Sequence, residues 1–253
     1  MDDLEQPISF ADGPEGGPGG VENAGHADDD LLFADPSYRA AVVDLLGALA
    51  YGELTAFSRL AADADMAPNQ PAKAALARVA VAEFHHYDVL TIRLREMGVD
   101  PDAAMEPFIA PIDLFHDRTR PSGWLEGLVK AYVGDGIATD FYREISAYVD
   151  SSTQTLVRSV LEDVGQAEFA VKTVREAIEA DPTVGGRLAL WGRRLVGEAL
   201  SQSQRVAVER DALASLLVGG HDRPGADLAE LGRMFVRLTD EHTHRMRQLG
   251  LNA

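Results

Sequence analysis

Val79-Ala80-Val81-Ala82-Glu83-Phe84-His85-His86-Tyr87-Asp88-Val89-Leu90 reads as helix, with an acid and a histidine on its apolar face. At about 100° per residue, Glu83 and His86 fall in line with Leu76, Val79, Leu90, Leu94 and Met97, the stripe a helix turns toward a core. Burying a carboxylate without a partner is costly, so an acid kept on such a stripe points to a built polar site. The Glu-x-x-His spacing puts both side chains on one side, able to ligate one metal ion or two adjacent ones.

Outward from this segment, almost everything after Pro36 carries the helical period. A first helix is predicted over about 37–64, with Val42, Leu46, Leu49, Phe57 and Leu60 as its stripe. Pro68 and Pro71 break the chain, and the quoted helix then runs from about Pro71 to Met97, with Gly98 as its C-cap. Residues 99–121 contain Pro101, Pro107, Pro111 and Pro121, which predicts an irregular crossover with short helical turns at most. A third helix covers about 122–149. Asp150-Ser151-Ser152 supplies caps for a fourth over about 152–180, which Asp181-Pro182 ends. Two further helices follow over about 184–217 and 226–249, separated by Gly219-Gly220-His221-Asp222-Arg223-Pro224-Gly225. Two helical hairpins joined by a long crossover give an all-α fold: a ferritin-like four-helix bundle with two additional C-terminal helices, over 34–253.

Composition agrees with this reading. The chain is 46% hydrophobic and only 7% aromatic, which favours helix over sheet. It has no cysteine, which removes disulfides, thiolate metal sites and cysteine nucleophiles together. Any metal must then be held by carboxylate and imidazole, a donor set suited to iron or manganese. Nine of the 41 acidic side chains fall within residues 1–30, which hold no Lys or Arg and include the Gly/Pro-rich run at 13–20. Residues 1–33 are therefore expected to form a disordered acidic tail. The net charge of −18 gives no global attraction for nucleic acid. No stretch matches an uninterrupted membrane span, and the N-terminus lacks a signal peptide's basic start, so a cytoplasmic location is expected.

Two more helices carry acids on apolar faces. Glu53 lines up with the stripe of the first helix, and Asp135 lines up with Trp124, Leu128, Ala131, Tyr142 and Val149 on the third. Di-iron bundles use one Glu on each of two helices and Glu-x-x-His on each of the other two. Glu53, Glu83 and His86 match the first half, and Asp135 the third position. On the fourth helix the best match is Asp163-Val164-Gly165-Gln166, where Gln166 stands in place of a second histidine. Glu168 is a rival there, but it shares its face with Lys172 and Arg175. Two other Glu/Asp-x-x-His spacings are read as structural. Glu241-His242-Thr243-His244 lies on a solvated face, with His242 itself turned into the core, and Asp113-Leu114-Phe115-His116 caps a turn of the crossover. The competing reading is a metal-free scaffold acting through protein contacts, in which Tyr51, Tyr87, Arg93 and the four acids satisfy one another.

The segments Ala50-Tyr51-Gly52-Glu53-Leu54, Ala82-Glu83-Phe84-His85-His86, Lys130-Ala131-Tyr132-Val133-Gly134-Asp135-Gly136 and Leu190-Trp191-Gly192-Arg193-Arg194-Leu195 resemble an actinobacterial group of ferritin-like proteins related to the tRNA isopentenyladenosine hydroxylase MiaE. The resemblance covers about residues 37–250. It implies a non-haem di-iron cofactor held by Glu53, Glu83, His86, Asp135 and Asp163, and an O₂-dependent hydroxylase. The implied partners are O₂, an electron donor and tRNA. Apart from the resemblance, a homodimer is an expectation for the chain. Arg118, Arg120, Lys130, Arg193 and Arg194 are the candidates for a tRNA-binding patch.

Overall fold

The computed structural model describes residues 32–161, 166–219 and 226–253. Most of the expected tail lies outside these residues. Its last two, Leu32 and Phe33, pack against the core, with the Phe33 ring 5.5 Å from that of Tyr38.

Helix α1 (Pro36–Asp63) begins where Asp35 accepts a hydrogen bond from the Ser37 amide, ahead of a proline suited to the first turn. It is the central helix, with Tyr38, Ala41, Val42, Leu45, Leu46 and Ala50 fully buried. Together with the short turn after it, α1 has the length and hydropathy of a membrane span, yet its apolar surface is spent on neighbouring helices. Helix α2 (Gln70–Glu96) returns antiparallel along it, capped by Asn69. It ends at Gly98, whose φ of +70° is the left-handed conformation the sequence anticipates there.

The region 99–121 departs from expectation. Helix α3 (Pro101–Arg118) occupies it, with Pro107 and Pro111 inside. The two prolines cost the helix two backbone hydrogen bonds. The carbonyl of Pro107 is the acceptor that Pro111, having no N–H, leaves unused, and the carbonyl freed by Pro107 belongs to exposed Ala103. Ala104, Met105 and Phe108 anchor the helix in the core, and this burial offsets the missing bonds.

The third predicted helix is interrupted. Helix α4 (Trp124–Val129) passes through a π-helical turn (Lys130–Gly134) into α5 (Asp135–Ser146). The fourth is likewise divided, into α6 (Ser151–Val160) and α7 (Gln166–Ala180). The fifth breaks at Arg210 into α8 (Thr183–Glu209) and α9 (Asp211–Val218), because Arg210 leaves helical geometry and pairs with buried Asp44 of α1 (Nε–Oδ2 3.0 Å). Helix α10 (Leu228–Gln248) closes the fold. The C-terminal helices are integral to the bundle, since α8 packs on α3, α4 and the π turn, and α9 packs on α1.

The apolar core falls into two clusters. One joins the first half of α1, the second half of α2, α3, α6 and α9. The other joins the end of α1, the start of α2, α4, α7, α8 and the end of α10. Their junction lies at residues 51–59 of α1 and 81–86 of α2, the level of Glu53, Glu83 and His86.

Buried Asp150 ties the ends of α1 and α5 to α6. It accepts from the Tyr38 hydroxyl (2.7 Å) and caps α6 through the Thr153 amide (2.8 Å). Burial alone would raise its carboxyl, but hydrogen bonds from Thr153, Ser152 and Tyr38 prevail and hold it below the ordinary 3.8. A depressed acid stabilises the fold above its unfolded pKa and loses that contribution as pH falls through the folded value. Asp150→Asn is therefore expected to lower stability by about 1–3 kcal/mol at neutral pH. The deficit should shrink below about pH 4, as thermal unfolding at the two pH values would show. A deficit independent of pH would refute this account.

Candidate metal centre

Helix pairing builds the site. Glu53 projects from α1, and Glu83 and His86 project from successive turns of α2. His86 Nδ1 lies 3.5 Å from Glu53 Oε2 and 3.6 Å from Glu83 Oε2, and one donor atom from each residue falls within 4.8 Å of the others. Donors held at about 2.1 Å by one ion at tetrahedral or octahedral angles stand about 3.0–3.4 Å apart, so a slight contraction would complete such a site.

Glu53 Oε2 and His86 Nδ1 are both buried, and neither makes a hydrogen bond of ordinary length, since they face each other at 3.5 Å. The residues that could have satisfied them are engaged elsewhere. The Tyr51 hydroxyl donates to Asp113 (2.9 Å), Arg93 pairs with Glu96 and covers the Phe33 ring, and Tyr87 packs beside Phe84. Tyr51, Tyr87 and Arg93 therefore do not complete the network expected of a metal-free scaffold, and what pairing there is lies within the triad, where His86 faces Glu53 and Glu83.

Electrostatics point the same way. Burial, with Glu83 and Asp135 adding to it and His86 opposing, raises the Glu53 carboxyl well above the ordinary carboxylate value. Glu53 and Glu83 in turn push the His86 imidazole up to about 10, against the effect of burial. Two carboxylates and a histidine held together out of water retain protons that a bound cation would displace. The donor set and the orphaned atoms fit a metal ion.

Asp135 begins α5 directly after the π turn, an irregularity frequent at functional sites. It lines the same cavity and its charge reaches Glu53, but it lies outside the tight triad. Asp163 lies outside the described residues. Gln166 opens α7, and Glu168 is exposed as expected. His242 is buried and Glu241 and His244 are exposed, as their faces predicted. Asp113 and His116, expected to cap a turn, instead sit within α3. Asp113 holds Tyr51, and His116 Nε2 lies 3.3 Å from Thr55 Oγ1.

The cavity beside the triad measures about 450 Å³ and its wall is mostly apolar. That is the size of a small-molecule site. Val218 and Phe235 line it while remaining exposed, placing an opening between α9 and α10. Tyr142 stands near Glu53, and burial together with the Glu53 charge raises its hydroxyl far above the ordinary tyrosine value. At the end of α1 the wall turns polar, with Arg59, Asp63, His116 and Lys130. Lys130 is buried, donates to the Thr119 carbonyl (2.8 Å) and lies 5.5 Å from the centre of the Phe115 ring. Burial pushes it down to about 8, with Asp63 opposing. Burial, then Lys130 and Arg59, push His116 down to about 3, so it is neutral. The Asp-x-x-His spacing at 113–116 was the sequence signal for part of this end.

A family model described as "Ferritin-like domain, actinomycetes" matches residues 36–220. The chain belongs to this family. A comparison with curated proteins returns no match. The match spans α1 to α9, so this ferritin-like domain includes all three residues of the triad.

Proposed function

We propose that the ferritin-like domain is a non-haem di-iron protein and an O₂-dependent hydroxylase. The observation that carries this reading is the triad itself: Glu53, Glu83 and His86 bring one donor atom each within 4.8 Å, at the wall of a mostly apolar cavity. Glu53, Glu83 and His86 would hold one iron, and Asp135, with Asp163, would complete a second position. Bound iron would supply the oxygen chemistry. In the overall reaction a substrate C–H bond becomes C–OH and the second oxygen atom leaves as water. Two electrons come from a reduced flavin or iron–sulfur carrier, with two protons from solvent.

The protein's own contribution is positional. The apolar wall excludes water and orients a hydrocarbon substrate beside the triad. Tyr142 keeps its proton at neutral pH and can donate a hydrogen bond into the cavity. The resemblance to tRNA hydroxylases draws less support from the surface. Of the five basic residues expected to form a patch, Lys130 is buried, Arg118 pairs with Glu198 and Arg193 donates to the Asn252 carbonyl. A free apolar small molecule suits this surface better than tRNA.

Metal analysis of protein expressed aerobically with added iron tests the reading. About two irons per chain are expected, and His86→Ala should lose them while remaining folded. A folded wild type without stoichiometric metal would overturn the proposal.

A further inference from the structure

The polar end of the cavity is not used by the metal reading, and its charges do not balance. Arg59 and Lys130 are two cations facing the Asp63 carboxylate, Arg120 and Asp117 near Lys130 offset each other as a pair (3.8 Å), and His116 is neutral. Among the described residues no hydrogen bond or ion pair engages the Arg59 guanidinium. Lys130 spends one of its three donors on Thr119 and faces Asp63 through space. One positive charge is left over at this end of the cavity, away from the acids of the triad and Asp135.

Beyond this end the wall is hydrocarbon. Ala56 lies between Glu53 and Arg59 on α1, and Leu213, Leu217, Leu231 and Leu238 line the part toward α9 and α10. The distance along α1 from Glu53 to Arg59 is six residues, about 9 Å. A molecule anchored at Arg59 and extending along α1 therefore passes the triad before it reaches the apolar end.

We propose that this cavity binds a medium-chain fatty acid, with its carboxylate on Arg59 and Lys130 and its alkyl chain running past Glu53 toward α9 and α10. A monoanion matches the single uncompensated charge, whereas a diphosphate would exceed it. Arg59 is half-buried, so the carboxylate keeps contact with water while the chain is desolvated. As the identity of a substrate this rests on the hydroxylase reading, but the binding itself does not.

The test is displacement of a fluorescent fatty-acid analogue from the full chain at neutral pH, by dodecanoate and by dodecanol. Dodecanoate is expected to compete at a concentration about tenfold or more below that of the alcohol, the scale of a hydrogen bond to a charged group. Arg59→Gln should remove the preference and Arg59→Lys should restore part of it. Among the described residues Arg59 has no hydrogen bond or ion pair to lose, only its longer-range attraction to Asp63. Ala56→Phe, which fills the space between Arg59 and Glu53, should weaken both ligands. Equal competition by acid and alcohol, or an unchanged preference in Arg59→Gln, would overturn the proposal. Iron is measured on the same samples. A retained preference without iron supports the fatty-acid site and sinks the di-iron reading, and iron without a preference does the reverse.

Discussion

Replacing Gly47 with alanine is expected to destabilise the protein by about 3 kcal/mol or more, the upper end of the cost of overpacking a core. A Cβ built at Gly47 would lie 2.2 Å from the Ala104 carbonyl oxygen and 2.7 Å from its carbon. Those atoms are backbone of α3 and cannot rotate aside, so α1 and α3 would have to separate along their buried contact. Alanine's better helix propensity returns only about 1 kcal/mol. For a chain of this length the melting temperature should fall by about 10 °C. Gly52→Ala is the matched control, since nothing lies within 4 Å of its added Cβ. It should be neutral or slightly stabilising. Equal melting of the two variants would contradict the close approach of α1 and α3. Because α3 also carries Asp113 and His116, Gly47→Ala should distort the cavity even where the chain still folds.

The second large effect separates the ligands by position. Glu53→Ala is expected to abolish iron binding, because Glu53 is one of three donors within 4.8 Å and the two left on α2 offer a poor site alone. Asp135→Asn should keep about one of about two irons, because Asp135 stands outside that triad. Glu53→Ala should change the melting temperature of the metal-free protein far less than Gly47→Ala does, because the lost contact with His86 is offset by removal of a carboxyl whose ionisation burial opposes. Equal loss of iron in the two variants would show that the positions fill together, and would refute the separate roles given to Glu53 and Asp135.

Much of this was legible from residue order. An acid and a histidine three positions apart on an apolar stripe could be placed with no structure, because helical geometry alone puts Glu83 and His86 side by side. The cap at Asp150 and the left-handed glycine at 98 are local chemistry that helix ends require wherever they occur. Glu53 was identifiable because it falls in line with Val42, Leu46, Leu49, Phe57 and Leu60, although α1 is apolar on most sides of its first half.

Other features were decided by neighbours far along the chain. Four prolines between 99 and 121 argue against a helix, and α3 forms because the burial of Ala104, Met105 and Phe108 outweighs two missing backbone bonds. The break at Arg210 depends on Asp44, 166 positions away, whose buried charge draws the guanidinium in. The π turn at Lys130–Gly134 leaves no mark in the hydrophobic period, yet it sets where Asp135 points relative to the cavity. Lys130 read as a surface cation, and Arg59 carried no signal at all. Charge is visible in a sequence, but whether a charge is buried depends on what packs over it. The helices, their caps and the Glu83–His86 pair follow from local periodicity. The meeting of that pair with Glu53, the orphaned donor atoms and the cationic end of the cavity exist only once α1, α2, α3 and the π turn have packed together, because burial is a property of the assembled bundle.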